Sequence, residues 1–123
     1  MDWGRYPNFK ESEFACKHCG KTEMEPDFMH RLQSLRNRYN KAMTITSGYR
    51  CPDHPIEKAK AFPGPHSTGK AADVAVQGSE AHRLLSIAFE LGFLGIGVQQ
   101  KGDKRFIHLD TVTEGQRPTV WSY

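Results

Sequence analysis

Residues 64–74 (Gly-Pro-His-Ser-Thr-Gly-Lys-Ala-Ala-Asp-Val) constrain the fold more than any other part of the chain. A turn bounded by glycine and proline carries His66, and the small, β-prone run that follows it carries Asp73. A second histidine, His108, lies in residues 106–110, where apolar and polar residues alternate as in a strand. If the turn folds back over the strand, two imidazoles and one carboxylate meet. Such a set of three protein ligands leaves a fourth position free on zinc, as catalytic zinc sites do.

Length and charge narrow the class of protein. A chain of 123 residues is long enough for one domain with a single core, so we expect one domain over residues 1–123. The net charge of +3 is too small an excess to indicate a nucleic-acid partner. No apolar run reaches the length of a membrane span, and the first residues lack the charged-then-apolar pattern of an export signal. We therefore expect a soluble protein with no nucleic-acid or membrane partner, which is not exported by a signal of its own.

Periodicity predicts an α+β domain with a small antiparallel sheet and flanking helices. Residues 1–20 predict an irregular arm whose aromatic side chains dock on the core. Pro26 and the helical spacing of the apolar residues after it predict a helix over about 26–41. A second helix is predicted to begin at a Ser79 cap and to end at Gly92. Four β-prone segments predict strands, and residues 51–65, which are rich in proline, predict a loop. The four segments are residues 43–50, 71–76, 95–98 and 105–110.

The three cysteines allow three interpretations. Their odd number argues against a disulfide framework. Cys16 and Cys19 form a C-x-x-C motif, while Cys51 stands alone. All three are reduced thiols, or they join a histidine (His54 or His18) in a closed structural zinc site, or a disulfide joins Cys51 to one of the other two.

Three motifs occur in order at sensible distances along the chain. They are Ser47-Gly48-Tyr49-Arg50, His66-x-x-Gly69-x-Ala71-x-Asp73 and His108-x-Asp110. Together they resemble the signature of the zinc D-alanyl-D-alanine carboxypeptidase family, which includes phage endolysins and murein endopeptidases and shares its fold with the hedgehog signalling domain. The resemblance covers roughly residues 8–121 and is to the short phage-type branch.

The resemblance implies roles for particular residues. It makes His66, Asp73 and His108 the ligands of one catalytic zinc ion. It makes Arg50 the residue that holds the substrate and stabilises the oxyanion, a role that suits a fixed guanidinium group. One position departs from the family pattern, because Gly64 stands where the family usually has a serine.

The resemblance also implies a substrate and a setting. The substrate would be a peptide bond in a peptidoglycan stem or cross-link, cut by a carboxypeptidase or an endopeptidase. The protein would act as a monomer, and it would stay in the cytoplasm until release to the cell wall, as a phage lysin does, or be carried on a virion.

The general base is not evident from the sequence. Several family members carry an acidic residue or histidine two or three positions before the last ligand, where this chain has Phe106 and Arg105. Neither side chain can accept a proton. Asp110 shares a strand face with His108, so it is either the base or a residue that orients a ligand. Asp103, in the preceding turn, is a further candidate.

Two classes of function therefore remain open. The first is a zinc peptidase. The second is a non-catalytic module of the same fold, which keeps the metal for structure or for binding the cell wall, and the absence of an evident base is its main support. A zinc-ribbon nucleic-acid binder built on Cys16 and Cys19 is disfavoured, because the chain has neither a second C-x-x-C motif nor a basic stripe.

Overall fold

A five-stranded sheet and three α-helices make up the computed structural model, which describes all 123 residues. The α-helices are α1 (Pro26–Tyr39), α2 (Pro55–Lys58) and α3 (Gly78–Glu90). The strands are β1 (Thr44–Ser47), β2 (Ala71–Ala75), β3 (Gly95–Gln99), β4 (Phe106–Asp110) and β5 (Thr119–Ser122). Three short 3-10 helices cover Trp3–Arg5, Glu11–Phe14 and Pro65–Thr68. The α+β class predicted from the sequence is confirmed.

The strands lie in the order β1-β2-β4-β3-β5, which places β4 at the centre of the sheet. The four strands predicted from the sequence pair in antiparallel fashion, whereas β5 pairs with β3 in parallel. The sheet is therefore mixed rather than wholly antiparallel. The reason is the path of the chain: β4 ends opposite Gly95, and the chain then passes the start of β3 before β5 begins beside the same glycine.

The helices follow the predicted periodicity, with corrections at their ends. Helix α1 ends slightly earlier than expected because Asn40 takes a left-handed conformation with φ 56°. The prediction of Ser79 as a cap was wrong, since α3 begins at Gly78 and Gln77 occupies the cap position without a side-chain hydrogen bond. Gly92 closes α3 with φ 75°, as predicted. None of the helices combines the length and the apolar character needed to cross a membrane.

One continuous hydrophobic cluster joins the arm, the helices and the sheet. Phe28, Leu32 and Leu35 of α1 are fully buried in it, and burial of each side chain contributes roughly 1.5–3 kcal/mol. The arm packs close against the exit of β1. A Cβ atom on Gly48 would lie only 2.5 Å from the Cα atom of Phe14, so only glycine fits at this position. The arm is thereby fixed beside the residues that follow β1.

Candidate metal centre

Three of the residues singled out in the sequence converge in the interior. Asp73 and His108 face each other across the β2–β4 pair, and His66 reaches them from the 3-10 helix Pro65–Thr68. Asp73 Oδ1 lies 3.3 Å from His66 Nε2 and 3.1 Å from His108 Nδ1. The three ligand atoms all lie within 4.8 Å of one another, and all three residues are buried.

The turn after His66 has the shape that brings this histidine over β2. Gly69 ends the 3-10 helix with φ 76°, in the left-handed region where glycine is favoured. A Cβ atom at this position would also collide with the carbonyl oxygen of Glu23. The carbonyl oxygen of Gly69 accepts a hydrogen bond from the backbone N–H of Glu25 at 2.9 Å, and that of His66 accepts one from Arg50 at 3.2 Å. The turn is therefore held on both sides.

The hydrogen bonds of the two imidazoles leave one nitrogen of each free to bind a metal. His66 Nδ1 lies 2.8 Å from the carbonyl oxygen of Gly48, so it carries the proton and Nε2 presents its lone pair towards Asp73. His108 Nε2 lies 2.7 Å from Asp110 Oδ2, so Nδ1 presents its lone pair towards Asp73. Two imidazole nitrogens and a carboxylate oxygen are donors that zinc accepts, so these residues fit a zinc ion.

The acidic members of this cluster are held ionised. Burial alone would raise the pKa of Asp73, but hydrogen bonds with His108 and His66 outweigh it and hold the pKa well below its usual range. Burial likewise would raise the pKa of Asp110, and His108 and Arg117 lower it. The pKa of His108 is raised, because its two carboxylate partners overcome the effect of burial. These hydrogen bonds to Asp73 require protons on the imidazole nitrogens that face it; a bound metal ion would displace those protons and use the lone pairs.

Asp110 lies behind His108 rather than beside the free nitrogens. Its side chain is fully buried, and Arg117 holds both of its oxygens, with Nε 3.0 Å from Oδ1 and Nη2 2.9 Å from Oδ2. The Trp121 ring packs against the His108 ring at 4.9 Å between centroids. This placement suits the alternative in which Asp110 orients a ligand, and it does not suit a general base. The contribution of Arg117 was not predicted, because only the folded tail brings it to Asp110.

Arg50 lies beside Asp73 and is held by Glu57, a residue that the sequence analysis did not single out. Its Nη2 lies 3.7 Å from Asp73 Oδ2, and its Nη1 lies 3.1 Å from Oε2 of Glu57. Glu57 is 1% exposed and also accepts hydrogen bonds from Gly64 N at 2.6 Å and Lys60 Nζ at 3.0 Å. Burial would raise the pKa of Glu57, but these three donors lower it to about 2. No periodicity in residues 51–65 could have predicted a buried carboxylate.

A cavity of about 590 Å³ opens beside Asp73 and Arg50. Four basic side chains line it, namely Lys17, Arg50, Lys104 and Arg105. The only carboxylates in its lining are those of Asp73 and Asp103, so the structure brings Asp103 to the cavity while Asp110 is not part of the wall. A larger depression of about 700 Å³ lies over the arm and contains none of the converging residues.

The cysteines form a separate cluster. The sulfur atoms of Cys16, Cys19 and Cys51 lie within 4.8 Å of one another, and all three residues are free thiols. Neither histidine considered as a fourth ligand belongs to this group. His54 instead caps α2, where its Nδ1 accepts a hydrogen bond from the Ile56 N–H at 3.1 Å.

Comparison with known proteins identifies the family. No curated protein matches the chain. A family model described as Peptidase M15 matches residues 7–110, which include all three converging ligands and Arg50. This family is of the zinc D-alanyl-D-alanine carboxypeptidase type, its members are zinc-dependent, and the α+β fold described above is compatible with the small hedgehog/DD-peptidase domain. The match spans most of the chain, so the protein belongs to the peptidase M15 family.

Proposed function

We propose that this protein hydrolyses a peptide bond in the stem or cross-link of bacterial peptidoglycan, next to a D-amino acid. Membership of the M15 family implies a zinc metallopeptidase. The observation that carries the proposal is the buried convergence of His66, Asp73 and His108, of which Asp73 lines a cavity with basic walls.

Each residue of the cluster has a distinct part in this function. Zinc held by His66, Asp73 and His108 supplies Lewis-acid polarisation of the scissile carbonyl and activation of water. Arg50 stands 16% exposed at the cavity, where its guanidinium group can donate hydrogen bonds to a substrate oxygen that gains negative charge. Asp110 fixes the His108 tautomer, so that the same ring nitrogen always faces Asp73.

The charge of the cavity supports a substrate that carries carboxylates. Lys17, Lys104 and Arg105 add positive charge around Arg50. Stem peptides of peptidoglycan end in a free carboxylate and often carry another on a side chain, so a basic cavity attracts them. The chain's small net charge of +3 gives no comparable support for a nucleic-acid substrate.

Asp103 is the proposed proton acceptor. It is exposed, it lines the cavity together with Asp73, and no salt bridge within the chain engages its carboxylate. Asp110, by contrast, is closed off by Arg117 and His108. A carboxylate on a turn can approach a bound substrate, and geometry in the absence of substrate underestimates such contacts.

The test measures metal content and wall digestion together. Wild type is compared with His66→Ala, Asp103→Asn and the matched control Asp27→Asn, which changes an exposed aspartate of α1. We expect His66→Ala to lose the zinc ion of the His66–Asp73–His108 centre, which is one ion per chain, and to lose the release of new muropeptides. Asp103→Asn should keep zinc and lose roughly 10²-fold or more in rate, while the control keeps both.

Three outcomes would contradict parts of this proposal. An Asp103→Asn variant with wild-type rate would remove Asp103 as the proton acceptor. Bound zinc without cleavage of walls that differ in their cross-links would favour the non-catalytic wall-binding module. A zinc content per chain that His66→Ala leaves unchanged would show that His66 does not hold a metal ion.

The proposed setting follows the short phage-type lysins that the chain resembles. The protein would act as a monomer, either held in the cytoplasm until it is released to the cell wall or carried on a virion. Addition from outside to intact cells and to cells with permeabilised membranes would show whether the wall is accessible to it.

A further inference from the structure

We propose that Cys16, Cys19 and Cys51 bind a second metal ion, zinc by preference, which ties the N-terminal arm to the backbone that carries Arg50. This site is separate from the His66–Asp73–His108 centre and has a structural role. The proposal therefore stands or falls independently of the peptidase activity.

The positions of the sulfur atoms suit a single ion. All three lie within 4.8 Å of one another although they come from two distant parts of the chain. Tetrahedral zinc with Zn–S bonds of about 2.3 Å requires S–S separations of about 3.8 Å, so a small contraction completes the set. Cys16 and Cys51 are buried, and Cys19 closes the cluster on its exposed side.

The backbone around Cys16 is folded to support thiolates. The N–H of Cys16 donates to the carbonyl oxygen of Lys21 at 2.7 Å, and the N–H of Gly20 donates to that of Cys16 at 2.8 Å. Gly20 takes φ 78°, which closes a tight turn around the C-x-x-C motif. The N–H of Cys51 donates to Cys16 Sγ at 3.3 Å, across from the other part of the chain. A backbone donor aimed at sulfur favours its anionic form, which is the form that binds metals.

A disulfide accounts for this arrangement less well than a metal does. A disulfide joins only two of the sulfur atoms and does not explain why the third lies beside them. A metal ion bound by all three explains the position of each one. Thiolates are soft donors that select zinc over magnesium or calcium. A cavity of about 320 Å³ adjoins Cys19 and Cys51, so a water molecule can complete the tetrahedron.

The site would hold the substrate-binding arginine in place. Cys51 directly follows Arg50, and the N–H of Tyr49 donates to the carbonyl oxygen of Phe14 at 2.9 Å, two residues before Cys16. A metal that joins Cys16 to Cys51 therefore links the same two segments a second time, close to this hydrogen bond. It restricts the backbone of residues 49–51, from which the Arg50 side chain extends.

The experiment uses the full chain, purified under reducing conditions, with zinc counted by elemental analysis and then replaced by cobalt. We expect about two zinc ions per chain and, with cobalt, the near-ultraviolet absorption of cobalt–thiolate bonds. His66→Ala should lose one ion and keep that absorption, because its cysteines are intact. Cys19→Ser should lose the absorption and keep the other ion, whereas the matched control Lys21→Ser, which leaves all three thiols in place, should resemble wild type.

Wild type alone is enough to overturn the proposal. The absence of cobalt–thiolate absorption in a protein whose three thiols react freely with a thiol reagent would exclude the site. In protein purified without reductant, a mass lower by two hydrogens, with a disulfide found between two of the cysteines, would exclude it as well. If Cys19→Ser does not fold, wild type and His66→Ala still decide the question, and loss of both ions in His66→Ala would contradict the independence of the two sites.

Discussion

The buried carboxylate of Glu57 offers the sharpest test of how the site is held together. One of its oxygens faces Arg50 Nη1 at 3.1 Å and Lys60 Nζ at 3.0 Å, and the other faces the N–H of Gly64 at 2.6 Å. In Glu57→Gln the amide oxygen can accept from Gly64 or from the two cations, but not from both. The amide NH₂ group must then face the donors that the oxygen does not. The most economical arrangement keeps the bond to Gly64 and turns the NH₂ group towards two cations.

The pKa of Glu57 sets the size of the effect. It falls from 4.5 to about 2 on folding, a change of about 2.5 pH units, which corresponds to about 3 kcal/mol of stability from the ionised form. Since the folded pKa lies below the unfolded one, this contribution is complete above about pH 4.5 and is lost as the pH falls towards 2. We therefore expect Glu57→Gln to reduce the free energy of unfolding by roughly 2–4 kcal/mol at pH 7, and by about half as much or less near pH 3.

Urea denaturation of wild type and variant at several pH values measures this difference. Glu90→Gln is the matched control, because Glu90 pairs with Arg38 at the exposed surface and its loss should cost well under about 1 kcal/mol. Glu57→Gln should also lower kcat/KM roughly 10-fold or more at temperatures where it remains folded, because Arg50 loses its anchor. A variant within about 0.5 kcal/mol of wild type, or a difference that does not change with pH, would refute the reasoning.

Glycine positions supply two further predictions. Gly95→Ala would place a Cβ atom against the Asp110 carboxylate, so we expect a loss of roughly 1–3 kcal/mol in unfolding free energy and a lower affinity for zinc, measured by competition with a chelator. Gly69→Ala adds a collision with the Glu23 carbonyl to a left-handed backbone, so it should cost roughly 3 kcal/mol or more by thermal or urea unfolding. Gly102→Ala has the same backbone conformation in open space and should cost only about 1 kcal/mol; equal losses in the two variants would contradict the steric argument.

Local patterns were enough to predict the parts of the fold that depend on neighbouring residues. Apolar spacing after Pro26 predicted α1, and the alternation in residues 106–110 predicted β4, because each pattern reflects the geometry of one element. The turn that contains His66 and ends at Gly69 could be predicted for the same reason. The convergence of His66 with Asp73 then required only that the turn fold back on its own strand.

Contacts between distant segments could not be predicted in this way. The parallel pairing of β5 with β3 depends on the path of the tail, and that path also brings Arg117 to Asp110. Glu57 lies in a segment without periodicity, and its burial becomes favourable only when the fold supplies its donors. The cap of α3 was misplaced because Ser79 has a strong intrinsic preference for caps, whereas the chain enters the helix through a left-handed Gly78.

The central position of β4 divides the metal centre into two parts with different dynamics. His108 lies on a strand that is hydrogen-bonded on both sides, and Asp73 lies on its neighbour, so their amides should exchange with solvent only when the whole domain unfolds. His66 lies on a single 3-10 turn outside the sheet, so fewer hydrogen bonds must break to move it than to move either strand. Asp73 and His108 are therefore held in place by the sheet before a metal binds, and His66 is the ligand that can move away from them. The lifetime of a bound ion would then be set by the opening of one short turn rather than by the stability of the fold.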